Sequence, residues 1–175
     1  KILDECKSKD LSKFIVFKPS AVGRFALYEK ITSNKKLSEN EKIEWSKVER
    51  RFNKICFEAS KKGIMVLVDA EESWIQSAID ELVTKMMNKY NSQKAVVFNT
   101  IQAYRSDRYD YLTKLHKDLK GRIKIGVKLV RGAYMEKERK RAKKYNYISP
   151  ICENKHKTDK VFNTSLRFII ENIDD

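Results

Sequence analysis

"IMVLVDAEESWIQSAIDELVTKMMNKYNSQKAVVFNTIQAY", residues 64–104, decides the fold class. It opens on the continuous apolar run "IMVLV", which has a strand's length and no polar face of the kind a surface helix shows. Ile75, Ile79, Leu82 and Met86 then recur at three- and four-residue spacing, the stripe of an amphipathic helix. A second apolar run, "AVVF" at 95–98, completes a strand–helix–strand unit. Unbroken apolar runs suit strands covered on both faces, and a crossover helix makes the two strands parallel.

The same rhythm extends in both directions. "FIVFKPS" (14–20) and "IKIGVKLVRGAY" (123–134) read as two further strands. "EKIEWSKVERRFNKICFEASKKG" (41–63) sets Ile43, Val48, Phe52 and Ile55 near one stripe and stops at Gly63. "SDRYDYLTKLHKDLKG" (106–121) opens on Ser106, the expected N-cap, and closes at Gly121. The expectation is an α/β fold in which parallel strands alternate with helices, with about four βα units in a single domain over residues 1–175. Residues 31–45, "ITSNKKLSENEKIEW", are polar and are expected to form a surface insertion or a short extra helix.

Composition narrows the function classes. The net charge is +14, from 38 Lys plus Arg against 24 Asp plus Glu, and it is spread along the chain. A Lys-rich solvated surface accounts for that spread, while nucleic acid and anionic lipid are the other partners such charge would serve. The densest basic run is "EKERKRAKK", where Lys137, Arg139, Lys140 and Arg141 would grip a phosphate backbone. Glu136, four residues before Lys140, suits a solvated helix better than such a grip. No apolar run reaches the ~18 residues of a membrane span. Three widely spaced cysteines fit a reducing, intracellular compartment. The two histidines, His116 in a helix and His156 in a Lys-rich loop, are expected to be exposed, and no metal site is expected. Neither a P-loop nor a dinucleotide-binding glycine fingerprint occurs. The chain opens on Lys1 rather than Met, which is read as the mark of a fragment.

Polar residues gather where the strands end. Lys18 follows the first run, Asp69, Glu71 and Glu72 the second, Asn99, Thr100 and Gln102 the third, and Lys128 and Arg131 the fourth. In parallel α/β folds that edge binds ligands. Side chains two apart share a face, so Lys128 goes with Val130, Leu129 with Arg131, and Asp69 with Glu71. A carboxylate on one strand with cations on its neighbours suits an active site, and equally a structural ion-pair cluster at the rim.

"FKPSAVGR", "VDAEES", "NTIQAYR", "KLVRGAYMEKERKRA" and "SPICENKHKTDKVFN", in this order, resemble the proline dehydrogenase family over residues 14 to 165. That resemblance implies a distorted (β/α)8 barrel, here a partial one, that oxidises L-proline to Δ1-pyrroline-5-carboxylate with FAD and passes electrons to a quinone. It implies that Lys18 lies against the proline carboxylate and that Tyr134 packs near the substrate. Asp69 is implied as the active-site aspartate, with Ala70 beside it touching the flavin. Gln102 is implied to hydrogen-bond the isoalloxazine ring, and Val130, Arg131 and Gly132 to line the cofactor. Lys128 stands where the family often has arginine, keeping the charge near the flavin but not the planar fork. The resemblance further implies a bacterial cytoplasmic protein with peripheral membrane contact, or a mitochondrial one. The family's later strands and paired-arginine helix are not matched, so this stretch alone is expected to bind FAD weakly and to fail to turn over proline. A basic nucleic-acid-binding domain and a catalytically silent barrel fragment are the alternatives.

Overall fold

The computed structural model describes residues 2–8 and 12–175. Its helices are α1 (Ile2–Ser8), α2 (Phe25–Thr32), α3 (Glu39–Lys62), α4 (Ser73–Tyr90), α5 (Arg108–Leu119), α6 (Met135–Tyr145) and α7 (Lys155–Glu171). The strands are β1 (Phe14–Phe17), β2 (Met65–Val68), β3 (Val97–Gln102) and β4 (Gly126–Val130), and they pair in parallel in the order β1-β2-β3-β4. The α/β class with parallel strands alternating with helices is therefore the class this chain adopts.

Local chemistry sets the long elements. Ser38 and Glu41 form a reciprocal capping box at the start of α3, and Gly63 ends that helix with a left-handed φ of 70°. At the opposite edge of the sheet from the strand ends, fully buried Asn91 pins two strands. Its amide donates to the carbonyls of Val97 and Lys124 (2.9 and 2.8 Å) and its Oδ1 accepts from the Val96 and Val97 N–H groups.

Register tells which side chains share a face. Phe14 pairs with Met65, Leu67 with Phe98, and Thr100 with Lys128, so these point to one side of the sheet. Val66, Val68 and Val97 point to the other, where they join Phe52 and Val48 of α3 and Ile75, Ile79 and Val83 of α4 in the core. The apolar runs predict strands covered on both faces, but only the helix-facing side is closed. Phe14 and Val16, on the other side of β1, are 46% and 45% exposed.

Several local expectations change. Ser106 is not the cap of α5; the N-cap is Asp107, and Ser106 instead donates its N–H and hydroxyl to the Pro150 carbonyl. His116 is not exposed but half-buried, its Nε2 2.9 Å from an Asp175 carboxylate oxygen and its ring edge-on to Phe168. Residues 31–45 hold the end of α2, a six-residue connection (33–38) and the first turns of α3. The basic run forms the expected helix, α6, yet α6 is not simply solvated. Lys137 pairs with Glu72 at 3.0 Å, Arg141 pairs with Glu29, and Arg139 donates to the carbonyls of Cys152 and Glu153. Three of the four cations that would have gripped phosphate are thus held by the protein.

Candidate active site

The strand register carries Lys18, Asp69, Thr100, Gln102, Lys128 and Val130 to one face of the sheet at its C-terminal edge. They line a cavity of about 410 Å³ together with Ala70, Arg131, Gly132, Ala133 and Tyr134. Each of the nine residues expected at the site thus borders this one space. Thr100, one of the strand-end polar residues, borders it too, its hydroxyl donating to the Val68 carbonyl at 2.7 Å, and Ala133 is an addition.

The centre of the cavity is an ion pair. Lys128 Nζ from β4 donates to Asp69 Oδ1 at the end of β2, with both side chains about a quarter exposed (27% and 26%). Partial exposure leaves the pair open to exchange with a bound group, which a sealed structural salt bridge is not. Gln102 stands beside it and is 2% exposed. Its Nε2 donates to the carbonyls of Ala70 and Glu71 (3.4 and 3.1 Å), while its Oε1 is buried with no partner. A buried acceptor of this kind costs stability unless a donor arrives.

On the other side of the cavity Lys18 donates to the Tyr134 hydroxyl at 3.2 Å. That bond holds the Lys18 ammonium above its ordinary pKa. Lys18 is placed by the 3-10 turn that follows it (Pro19–Ala21). Glu71, 5% exposed, accepts from the Ser20 N–H at 2.9 Å and its hydroxyl at 2.7 Å. Asp69 and Glu71 were expected to act on a shared face; instead Asp69 meets Lys128 and Glu71 locks the turn.

Two other expectations take a different physical form. Arg131 borders the cavity, but its guanidinium is directed at α7, bonded to Asp159 at 2.9 Å and stacked 4.3 Å over the Phe162 ring. Gly132 is required by the protein itself. It adopts φ +127°, and a Cβ there would lie 2.3 Å from a Tyr104 ring atom. Asn99, grouped by sequence with Thr100 and Gln102, faces the helices and donates to Asp80 at 2.8 Å. A second cavity of about 880 Å³ shares the Arg131–Tyr134 wall and continues toward Cys152, Asn154 and Thr158 around the start of α7. Among the described residues no cluster of His, Cys, Asp and Glu has the makings of a metal site, and no helix is long and apolar enough to cross a membrane.

The proline dehydrogenase family model matches residues 7–175. The carbapenem antibiotics biosynthesis protein CarD of Pectobacterium carotovorum subsp. carotovorum is 32% identical over 175 residues, 99% of this chain and 46% of that protein. Human mitochondrial proline dehydrogenase 1 is 33% identical over 165 residues, 93% of this chain and 26% of that protein. This chain therefore spans less than half the length of these relatives. Among solved structures, proline utilization A from Corynebacterium freiburgense aligns with a TM-score of 0.75 at 18% identity, over 95% of this chain and 17% of its own. The Bdellovibrio bacteriovorus protein of the same name, inactivated by N-propargylglycine, gives 0.74 at 21% identity, over 91% of this chain and 16% of its own. At such identities these two establish the barrel-like fold alone.

Proposed function

This chain belongs to the proline dehydrogenase family, and from that premise we propose that the protein oxidises L-proline to Δ1-pyrroline-5-carboxylate with FAD as its resident cofactor. The observation that carries the reading is the cavity at the strand ends, where Lys18, Asp69, Gln102, Lys128 and Tyr134 converge from four strands and the loop after β4. The residues present fit a flavin. The buried, unpartnered Oε1 of Gln102 would accept from an N–H donor such as a flavin ring carries, and Lys128 would supply positive charge on the same wall. Val130, Arg131, Gly132 and Ala70 would complete that side, and the adjoining cavity gives an elongated cofactor room to extend. When bound, FAD would supply the acceptor for the hydride that leaves the proline ring.

The chain's own residues have the remaining tasks. Lys18, its ammonium anchored on the Tyr134 hydroxyl, holds the substrate carboxylate and so fixes which ring carbon is presented. Tyr134, which lines the same cavity, would pack beside the substrate. Asp69 orients Lys128, and the pair provides a fixed local field where charge develops. Lysine at 128 offers a point charge instead of a planar fork, so it depends on Asp69 for its direction.

The same reading extends to a quinone as electron acceptor, to peripheral contact with a membrane, and to residues 1–175 acting within a single catalytic domain. It places the protein in a bacterial cytoplasm or, by its mitochondrial relatives, in that organelle. The test is spectroscopic. The purified natural protein should carry a flavin absorbance band that L-proline bleaches and a soluble quinone restores. A protein that stays colourless after incubation with FAD, or a band that proline leaves unchanged, overturns the proposal.

A further inference from the structure

The most basic helix of the molecule hides a carboxylate. Glu138 lies one turn into α6, among Lys137, Arg139, Lys140 and Arg141, yet it is 0% exposed. It accepts from the Ser73 N–H at 2.5 Å and from the Ser73 hydroxyl at 2.6 Å. Ser73 is the first residue of α4, and the N-cap before it, Glu72, makes no side-chain cap bond. A carboxylate there satisfies an orphan N–H and faces the positive end of the helix.

A cap alone needs only Ser, Thr, Asp or Asn at position 72. Here the acceptor is brought from 65 residues away and fully desolvated. What this arrangement adds is a link between two loops. Ser73 stands four residues after Asp69, and Glu138 four residues after Tyr134, to whose carbonyl its own N–H is bonded at 3.0 Å. The ion pair of Lys137 with Glu72 and the stacking of Arg141 on Trp74 at 4.4 Å lie on either side of the same contact.

We propose that Glu138 is a positioning residue: its buried carboxylate joins the loop bearing Asp69 to the loop bearing Tyr134 and holds the two at a fixed separation. This rests on the proposed reaction only for its kinetic consequence. The holoenzyme would be compared with Glu138→Ala, Glu138→Gln, Ser73→Ala and the exposed control Lys140→Ala. Amide hydrogen exchange and proline kinetics would both be measured. Glu138→Ala should speed exchange in both 69–74 and 131–135. It should also raise KM for proline and lower kcat, each by about tenfold, because a displacement of about an ångström at the reacting groups carries that scale of loss. Glu138→Gln, which retains one acceptor, and Ser73→Ala should each lose about threefold in kcat/KM at unchanged flavin content. Lys140→Ala should match the parent. Loosening of one segment without the other, or loosening of both with parent-like kinetics, overturns the proposal. If Glu138→Ala does not fold, parent-like kcat/KM in both milder variants overturns it and the threefold losses uphold it. If the parent protein does not oxidise proline, the proposed function fails, and joint loosening of the two segments alone decides the role of Glu138.

Discussion

Strand β3 separates two polar regions of opposite design. On its helix-facing side Asn99 donates to Asp80, which also accepts from Gln76 and is paired with Arg108 at 2.8 Å. Arg108 stacks on the Tyr111 ring, and Asp80 and Arg108 are both 6% exposed. On its other side Thr100 and Gln102 border the cavity where Lys128 and Asp69 remain about a quarter exposed. Polar residues one position apart on a strand thus serve different ends. In the first region the protein supplies the partners of each Asp80 oxygen. Each region leaves one buried amide oxygen without a partner, Gln76 Oε1 in the first and Gln102 Oε1 in the second, but only in the second does the ion pair stay within reach of a ligand. Both regions border a cavity, and they differ in how far the ion pair itself is exposed, 7% and 9% for Arg108 and Asp80 against 27% and 26% for Lys128 and Asp69.

The contrast can be broken from the helix side first. Asp80→Ala should cost about 3–5 kcal/mol of stability, because it strands the Arg108 guanidinium in a buried environment. Urea unfolding would read it, and a loss below about 1 kcal/mol would show that surface-like energetics prevail there. Asp69→Asn should show the converse. Stability should change by less than about 1 kcal/mol, whereas kcat/KM for proline should fall by about a hundredfold as the local field at Lys128 is lost. Gly132→Ala stands between the two regions in kind. The left-handed φ and the Tyr104 ring should cost about 1–3 kcal/mol, measured by thermal unfolding. Parent-like stability would mean that the Tyr104 ring gives way.

The smallest effect lies away from both regions. Lys30, and then the Ser38 N–H and hydroxyl, pull the Glu41 carboxyl from its ordinary 4.5 down to about 2. A folded value below the unfolded one means stabilisation that is complete above pH 4.5 and is lost as pH falls from there toward 2. Glu41→Gln should therefore leave the helix content at neutral pH nearly unchanged and flatten its acid titration between those limits, read by far-ultraviolet circular dichroism. An unchanged acid titration would remove Glu41 from that role.

Much of this organisation is legible in the sequence because it depends on periodicity. Apolar runs locate the four strands, and two-residue alternation groups Lys128 with Val130. Their polar termini gather the residues that line one cavity. The features that escape are those decided by distant partners. Nothing in "MEKERKRAKK" distinguishes Glu138 from Glu136, since only the approach of Ser73 makes one buried and leaves the other exposed. The orientation of Arg131 depends in the same way on Asp159, and the fate of Ser106 on Pro150. The short helix α2 and the long α7 lie outside the strand–helix rhythm that the apolar stripes reveal. The half-open face of the sheet is likewise invisible to a pattern that reports apolar residues without reporting what covers them.

The strand order has a consequence for how the molecule is made. Because β1, β2, β3 and β4 lie side by side in the order of the chain, each strand leaving the ribosome finds its hydrogen-bonding neighbour already synthesised. Among the four described strands none has to wait for a later one to insert between it and its partner. The cavity's ion pair is completed by the last of these strands, since it closes only when β4 delivers Lys128 to an aspartate made 59 residues earlier.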